Sequence, residues 1–281
     1  MSFNRILSED NVTIPKYIKF DKVYGTVNLS NRLGKYLNDL SWFPEYVDGS
    51  VYLTGTNISS LKNIPLKTVN GSFCVDRCDS LKSLEGLENV TITNELCVCE
   101  CAKLISLKYC PEGISNINCY MCHSLKSLEG CPEEIKGDLN CSYCNSLKSL
   151  EGCPKKINGS LFCTGCKSLK SLEGCPEILK AFDCSNCHSL KSLEGGPKKT
   201  EYQYDCAFCT SIVSLKGCAE EIGTDFNCKG CDSLKSLEGY PKQVGEIFDC
   251  RKNKNLILTP EDIKELKQLN KMGAIGKLKY K

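Results

Sequence analysis

Apolar residues in this chain recur in a fixed cycle rather than in isolated patches. Through the middle of the sequence the unit reads I-x-G-x-L-x-C-x-x-C-x-S-L-K-S-L-E-G-C-P, as from Ile135 to Pro154. Its L-x-C portion alternates with period two, as a half-buried strand does, and E-G-C-P supplies turn residues. The pattern predicts one strand and one return per repeat. Aligned on the first cysteine of C-x-x-C, the copies fall at Cys119, Cys141, Cys163, Cys184, Cys206, Cys228 and Cys250, spaced 22, 22, 21, 22, 22 and 22 residues. A constant period of this length marks a solenoid, whose turns bury their apolar faces against one another.

The register continues upstream without C-x-x-C, where Val98, Val75, Leu53 and Leu29 hold the same slot, so about eleven rungs of 21–24 residues are expected. A slot filled by Cys, Val or Leu is a buried apolar slot, and its cysteines are core. The second slot holds Cys78, Cys101, Cys122, Cys144, Cys166, Cys187, Cys209 and Cys231, with Thr56 near the start and Asn253 at the end. These residues share a short side chain able to hydrogen-bond to nearby backbone. The third slot, before proline, holds Cys110, Cys131, Cys153, Cys175 and Cys218, with Leu87, Gly196 and Tyr240 elsewhere, and reads as core-facing or half-buried.

The strand and the residue that closes it resemble leucine-rich repeats, whose signature is L-x-x-L-x-L-x-x-N/C-x-L. Phe248 to Asn253 fits the L-x-L-x-x-N portion, and Leu139 to Cys144 fits its cysteine version. The C-x-S-L-K-S-L portion is similar to the short cysteine-containing repeats of bacterial BspA-like surface proteins. The S-L-x-S-L-E-G-C-P unit resembles repeat proteins of phages and large viruses. The resemblance covers about residues 25 to 254. It implies a leucine-rich-repeat-like solenoid of short parallel β-strands with irregular returns, and a viral protein that binds and neutralises a host defence protein in the host cytoplasm.

With 281 residues, 41% hydrophobic, 25% charged and a formal net charge of +2, the chain has the composition of a globular protein and lacks the basic excess of a nucleic-acid binder. No window approaches the roughly 18 apolar residues of a membrane span, and the opening MSFNRILSEDNVTIPKYIKF has no signal-peptide core. An intracellular protein without membrane or nucleic-acid partners is expected. Its 23 cysteines are odd in number in a long chain, so reduced thiols are the default.

Cys119, Cys122, Cys141 and Cys144 form C-x2-C-x18-C-x2-C, a four-cysteine zinc spacing. The repeat generates that spacing by itself, and Val or Leu replaces the first cysteine at four rungs, so no metal is assigned. Disulfides between rungs would need Cβ atoms about 3.8 Å apart, closer than strands roughly 4.8 Å apart bring them. His123 and His188 follow second-slot cysteines, in a position otherwise held by Asp79, Ala102, Asn145, Lys167, Thr210 and Asp232. That slot is variable, and nothing there activates a Cys–His nucleophile. The expectation is a non-enzymatic protein without a cofactor.

If L-x-C points inward, the residue between points outward. This makes a row of Asn28, Tyr52, Cys74, Cys97, Asn118, Asn140, Phe162, Asp183, Asp205, Asn227 and Asp249, flanked by Tyr120, Met121, Tyr143 and Phe208. The candidate partner-binding set is Tyr52, Asn118, Tyr120, Asn140, Tyr143, Phe162, Asp183, Asp205, Phe208, Asn227 and Asp249, which suits a protein partner, host-derived on the resemblance. The competing reading is that Asn and Asp form solvated ladders and the aromatics cover neighbours. A second face carries Lys82, Lys126, Lys148, Lys170, Lys191 and Lys235, with Glu85, Glu129, Glu151, Glu173, Glu194 and Glu238 three residues on. It reads as a solvated charge ladder, broken at Ile105 with Lys108 and at Val213 with Lys216.

Solenoid ends need caps. Residues 1–24, with Ile6, Ile14, Ile18 and Phe20, are expected to supply one, residues 25–254 the solenoid, and residues 255–281 a C-terminal capping helix and basic tail. Thr259-Pro260-Glu261-Asp262 is a helix start, and Ile263, Leu266 and Leu269 an apolar stripe. The tail from Lys271 reads as a flexible end. Two further classes remain open: a metal- or redox-responsive cysteine-rich protein, and a structural assembly protein.

Overall fold

A computed structural model describes residues 21–31, 37 and 39–280. They form a parallel β-solenoid. Eleven short strands, from Val27–Asn28 to Gln243–Asp249, stack in sequence order in one sheet and enclose ten turns. The register follows the slots: Leu139 pairs Leu161, Leu161 pairs Phe182, and Tyr204 pairs Phe226. Each turn places its strand beside the same strand of the next, so a side chain meets its counterpart one period away.

Two strands, not one, form in most turns. The I-x-G segment makes a second set of parallel strands, such as Glu134–Ile135 beside Lys156–Ile157, with Val23, Val47, Val69, Ile92, Ile135, Ile157 and Leu179 buried along it. A two-residue strand is too short to leave a clear period-two trace, which is why the pattern suggested an irregular return. A tight corner separates the two strands. At Gly159, a Cβ would lie 2.6 Å from the carbonyl of Gly137 one turn below, so the corners stack only because the side chain is absent.

The interior is a set of columns. Leu125, Leu147, Leu169 and Leu190 form one, and Leu128, Leu150, Leu172 and Leu193 another, all fully buried. In the later turns the strand column turns aromatic: Phe182, Tyr204, Phe226 and Phe248 contact ring to ring at 5.1, 5.7 and 5.1 Å. The Tyr204 hydroxyl is buried with no hydrogen-bond partner among the described residues. Gly196 takes the slot that cysteine usually fills, and a Cβ there would lie 3.1 Å from that hydroxyl, so the glycine makes room for it.

The ends depart from expectation. Of the proposed N-terminal cap, residues 1–20 lie outside the described residues, while Lys22–Tyr24 is already a solenoid strand paired with Tyr46–Asp48. At the other end the helix Pro260–Lys271 starts as anticipated. Thr259 and Asp262 form a capping box, and Leu266 is buried, with Leu269 packed against the core. The tail is not a loose end: Ile275–Lys279 adds a parallel strand to Gln243–Asp249, with Ile275 opposite Val244 and Leu278 opposite Phe248. Ile275 and Leu278, three residues apart with a register shift between Val244 and Ile247, pull it into register, and Lys277 and Lys279 discourage further pairing at the sheet end.

Candidate functional site

Each C-x-x-C sits where a strand of the main sheet ends and the chain turns. The residue before the second cysteine adopts a left-handed conformation at Arg77, Glu100, Met121, Tyr143, Asn186, Phe208 and Lys252, and glycine takes the place at Gly165 and Gly230. The turn removes the backbone N–H that a straight strand would offer to the first-slot carbonyl of the neighbouring turn. The second-slot thiol replaces it. Cys122 Sγ donates to Val98 O at 2.9 Å, Cys144 Sγ to Cys119 O at 3.2 Å, Cys166 Sγ to Cys141 O at 3.2 Å and Cys209 Sγ to Cys184 O at 3.0 Å. Cys78, Cys101, Cys187 and Cys231 do the same.

The two residues that replace cysteine in this slot bond differently. Asn253 Nδ2 donates to the first-slot carbonyl of its own turn, Cys250 O, at 2.8 Å, while Thr56 Oγ1 lies 3.3 Å from Cys78 Sγ, the second-slot sulfur of the next. The thiols are thus a hydrogen-bonding column beside a packing column, both inside. Burial pushes the Cys153 and Cys250 thiols up to about 12, and burial also raises Cys228 and Cys218, so they resist becoming thiolates. Among the described residues, no three C-x-x-C sulfurs gather within the 4.8 Å span of a compact ligand set.

The outer face of the main sheet carries the predicted row, because the residue between two inward ones must turn out. Asn118, Asn140, Asp183, Asp205, Asn227 and Asp249 occupy successive turns apart from the Phe162 rung, and each Oδ1 accepts the backbone N–H two residues on, at 2.7–3.3 Å. These Asx turns hold the strand end, so part of the competing reading, a ladder of Asn and Asp, is real. Asn227 Nδ2 also donates to Asp205 Oδ2 at 2.9 Å. Burial and the neighbouring Asp183 carboxylate raise the Asp205 carboxyl, against the Ala207 N–H bond that opposes them.

Asp249 offers no free carboxylate. It is 9% exposed, and Arg251 grips it through Nε to Oδ1 at 2.9 Å and Nη2 to Oδ2 at 2.6 Å. Burial alone would raise its carboxyl, but the guanidinium holds it below the usual range. The described structure brings the central candidates together. Asn118, Asn140 and Phe162 line a groove of about 320 Å³ with Asn116 and Asp138, and Tyr120 meets Tyr143 edge to face at 5.5 Å. Tyr143 is 38% exposed, although its ring also covers Gly165, where a Cβ would sit 2.6 Å from Cε1.

Phe208 is 42% exposed but lies over Gly230 with the Lys229 ammonium 5.9 Å from its ring. Tyr52 is three turns from Asn118, separated by Cys74 and Cys97 in the same register. His123 Nδ1 lies 3.0 Å from Tyr143 O and 3.1 Å from Asn145 Nδ2, and His188 Nδ1 lies 3.4 Å from Thr210 Oγ1, so both rings extend short polar columns.

On the Lys/Glu face the ion pairs run within the Glu column, Lys62 to Glu85 and Lys216 to Glu238, each at 3.0 Å. The break at Lys216 therefore supplies a partner for the next turn. A second charged ladder escaped the sequence reading. Ahead of the I-x-G strand the pairs alternate in sign from turn to turn: Glu133-Glu134, Lys155-Lys156, Glu177-Ile178, Lys198-Lys199 and Glu220-Glu221. The structure joins Lys155 to Glu133 and Lys156 to Glu134 at 2.7 Å, Lys199 to Glu221 at 2.5 Å, and Lys198 to Glu177. Ile178 breaks this alternation and is 66% exposed. With Ile157, Leu179 and Pro176 it lines an apolar groove of about 700 Å³, beside the 21-residue turn from Cys163 to Cys184.

No family model, curated protein or solved structure matches this chain. No described helix is long and apolar enough to cross a membrane.

Proposed function

We propose that the protein is a non-enzymatic binding scaffold that engages a protein partner through the outer face of its middle turns. The observation that carries this reading is a set of aromatic residues on successive turns: Tyr120 and Tyr143, which meet edge to face, and Phe162, which lines the groove of Asn118 and Asn140. Half-exposed aromatic rings project there from a rigid ladder whose polar neighbours are already fixed. Partly buried aromatic anchors bind strongly because little side-chain freedom is left to lose. Asp183 and Asp205 extend the same face and favour a partner bearing cationic groups there. The leucine-rich-repeat likeness and the host-directed viral role implied by the resemblance belong to this proposal.

The test is affinity capture from extract of the cell in which the protein acts, followed by affinity measurement on the recovered partner. Wild type and Tyr24→Ala, an exposed ring far from these residues, retain the partner. Tyr143→Ala with Phe162→Ala weakens binding roughly 30-fold or more, as loss of an anchor worth about 2 kcal/mol or above requires. Equal binding by all three proteins, with unchanged circular dichroism, sinks the proposal.

A further inference from the structure

Three cysteines in the chain obey neither rule that explains the others. Cys74 and Cys97 occupy the outward row, where neighbouring turns use Asn118 and Asn140, and Cys99 lies two residues beyond Cys97 on the same side of the chain. They fill no core column. The strands Phe73–Cys74 and Glu95–Cys97 are adjacent and parallel, and Cys74 is the direct partner of Cys97. Asp76 stands two residues after Cys74, as Cys99 does after Cys97, so the four residues make a square across two turns. Cys74 Sγ, Cys97 Sγ and a carboxylate oxygen of Asp76 all lie within 4.8 Å of one another, and among the described residues theirs is the group of three that does so.

We propose that Cys74, Cys97 and Asp76, completed by Cys99, form a site for one zinc-class divalent cation on the outer face of the third and fourth turns. The chemistry of the set selects this class. Two or three thiolates with one carboxylate suit a borderline-soft tetrahedral ion and disfavour calcium or magnesium, which take oxygen alone. Metal–sulfur bonds of about 2.3 Å place tetrahedral donors roughly 3.8 Å apart, so side-chain movement of about 1 Å closes the three, while Cys99, whose thiol lies 3.7 Å from Asn118 O, turns further to join them. Asp76 is already oriented: its Oδ1 accepts the Cys99 backbone N–H at 2.8 Å, which ties the carboxylate to the fourth donor. Cys74 and Cys97 are 5% and 9% exposed, whereas Asp76 and Cys99 are half-exposed and give an ion access from solvent. Each ligating thiol releases one proton to water as its bond to the metal forms.

The slot supplies a fold-preserving control, because asparagine serves the same position in Asn118 and Asn140 and there caps its own turn. Reduced full-length protein, stripped with a chelator, is titrated with cobalt(II) alone and then with zinc. Wild type is expected to take one cobalt per chain, with the thiolate charge-transfer band and the visible bands of a tetrahedral ion, and zinc abolishes both. Cys74→Asn with Cys97→Asn loses the bands while keeping its circular dichroism. Asp76→Ala weakens cobalt binding at least ~10-fold, the lower end of what removing even a supporting partner costs. Cys153→Ser, on another face, leaves the bands unchanged. In wild type, zinc also shields Cys74, Cys97 and Cys99 from alkylation, read peptide by peptide, a result that needs no variant. Absence of the bands in wild type overturns the proposal, as does their persistence in the double variant or zinc protection confined to other cysteines.

Discussion

Cys144 and Cys97 are chemically the same side chain, and each lies at a strand of the same sheet or the turn that ends it. Cys144 faces inward, is fully buried and spends its proton on the carbonyl of Cys119 one turn below. Cys97 faces outward, beside Cys74 and Asp76, in a row where other turns place Asn or Asp. The difference lies in the parity of the position and in what the neighbouring turn sets opposite. A cysteine-rich repeat therefore carries its chemistry in its exceptions, and the regular C-x-x-C is scaffold.

That contrast breaks most readily at the inward thiol. Cys144→Val fills the space but leaves the Cys119 carbonyl without its thiol donor, and costs about 1–3 kcal/mol of stability. Cys144→Thr costs less, as Thr56 stands in that slot. Urea midpoints of the two variants, compared side by side, measure the hydrogen bond apart from the packing.

A second buried polar group sharpens the point by having no partner among the described residues. Tyr204→Phe removes the unsatisfied hydroxyl and is expected to stabilise by about 1 kcal/mol, seen as a raised thermal midpoint. No change in midpoint would show that the hydroxyl carries no penalty. The first slot tests the same contrast from the packing side. Cys141→Val is expected to cost under about 1.5 kcal/mol, because Val75 and Val98 fill that column. A cost matching that of Cys144→Val would erase the distinction between the two columns.

The smallest effect belongs to the outward row. The Asp205 carboxyl is raised in the folded protein, so its ionised form disfavours the fold at pH 7. Asp205→Asn keeps the acceptor for the Ala207 N–H but sets its amide nitrogen where Oδ2 accepts Asn227 Nδ2, so relief of the charge outweighs the lost bond only narrowly and the thermal midpoint rises slightly at neutral pH. The gain fades as pH falls from the raised value toward the ordinary carboxyl value of 3.8 and is absent below it, where Asp205 is protonated in both states. An equal gain at both pH values would show that the charge is not its source.

Much of this was legible without coordinates, because a repeat tests each slot many times. Substitution of Cys by Val and Leu revealed the packing column, and its substitution by Thr and Asn revealed the hydrogen-bonding one. The I-x-G strand was not legible, since two residues cannot display a period. The tail strand was missed because Gly273 and Gly276 and four lysines from Lys271 onward read locally as coil. Its pairing depends on Val244 and Phe248, residues some thirty positions earlier. In the candidate site the outward row was read correctly as a row. That Tyr120 would meet Tyr143, and that Arg251 would close off Asp249, depended on rotamers no pattern encodes.

The sequence by itself determined the solenoid, its period, the inward and outward parity of each strand residue, and the capped helix start at Thr259. These are local or strictly periodic properties, and stacking identical units requires nothing further. Tertiary structure alone decided which unlike residues of adjacent turns face each other: Cys74 with Cys97 and Asp76, Tyr204 with Gly196, and Ile275 with Val244. Such contacts join side chains that the repeat does not relate, and only the register and the path of each turn bring them within reach.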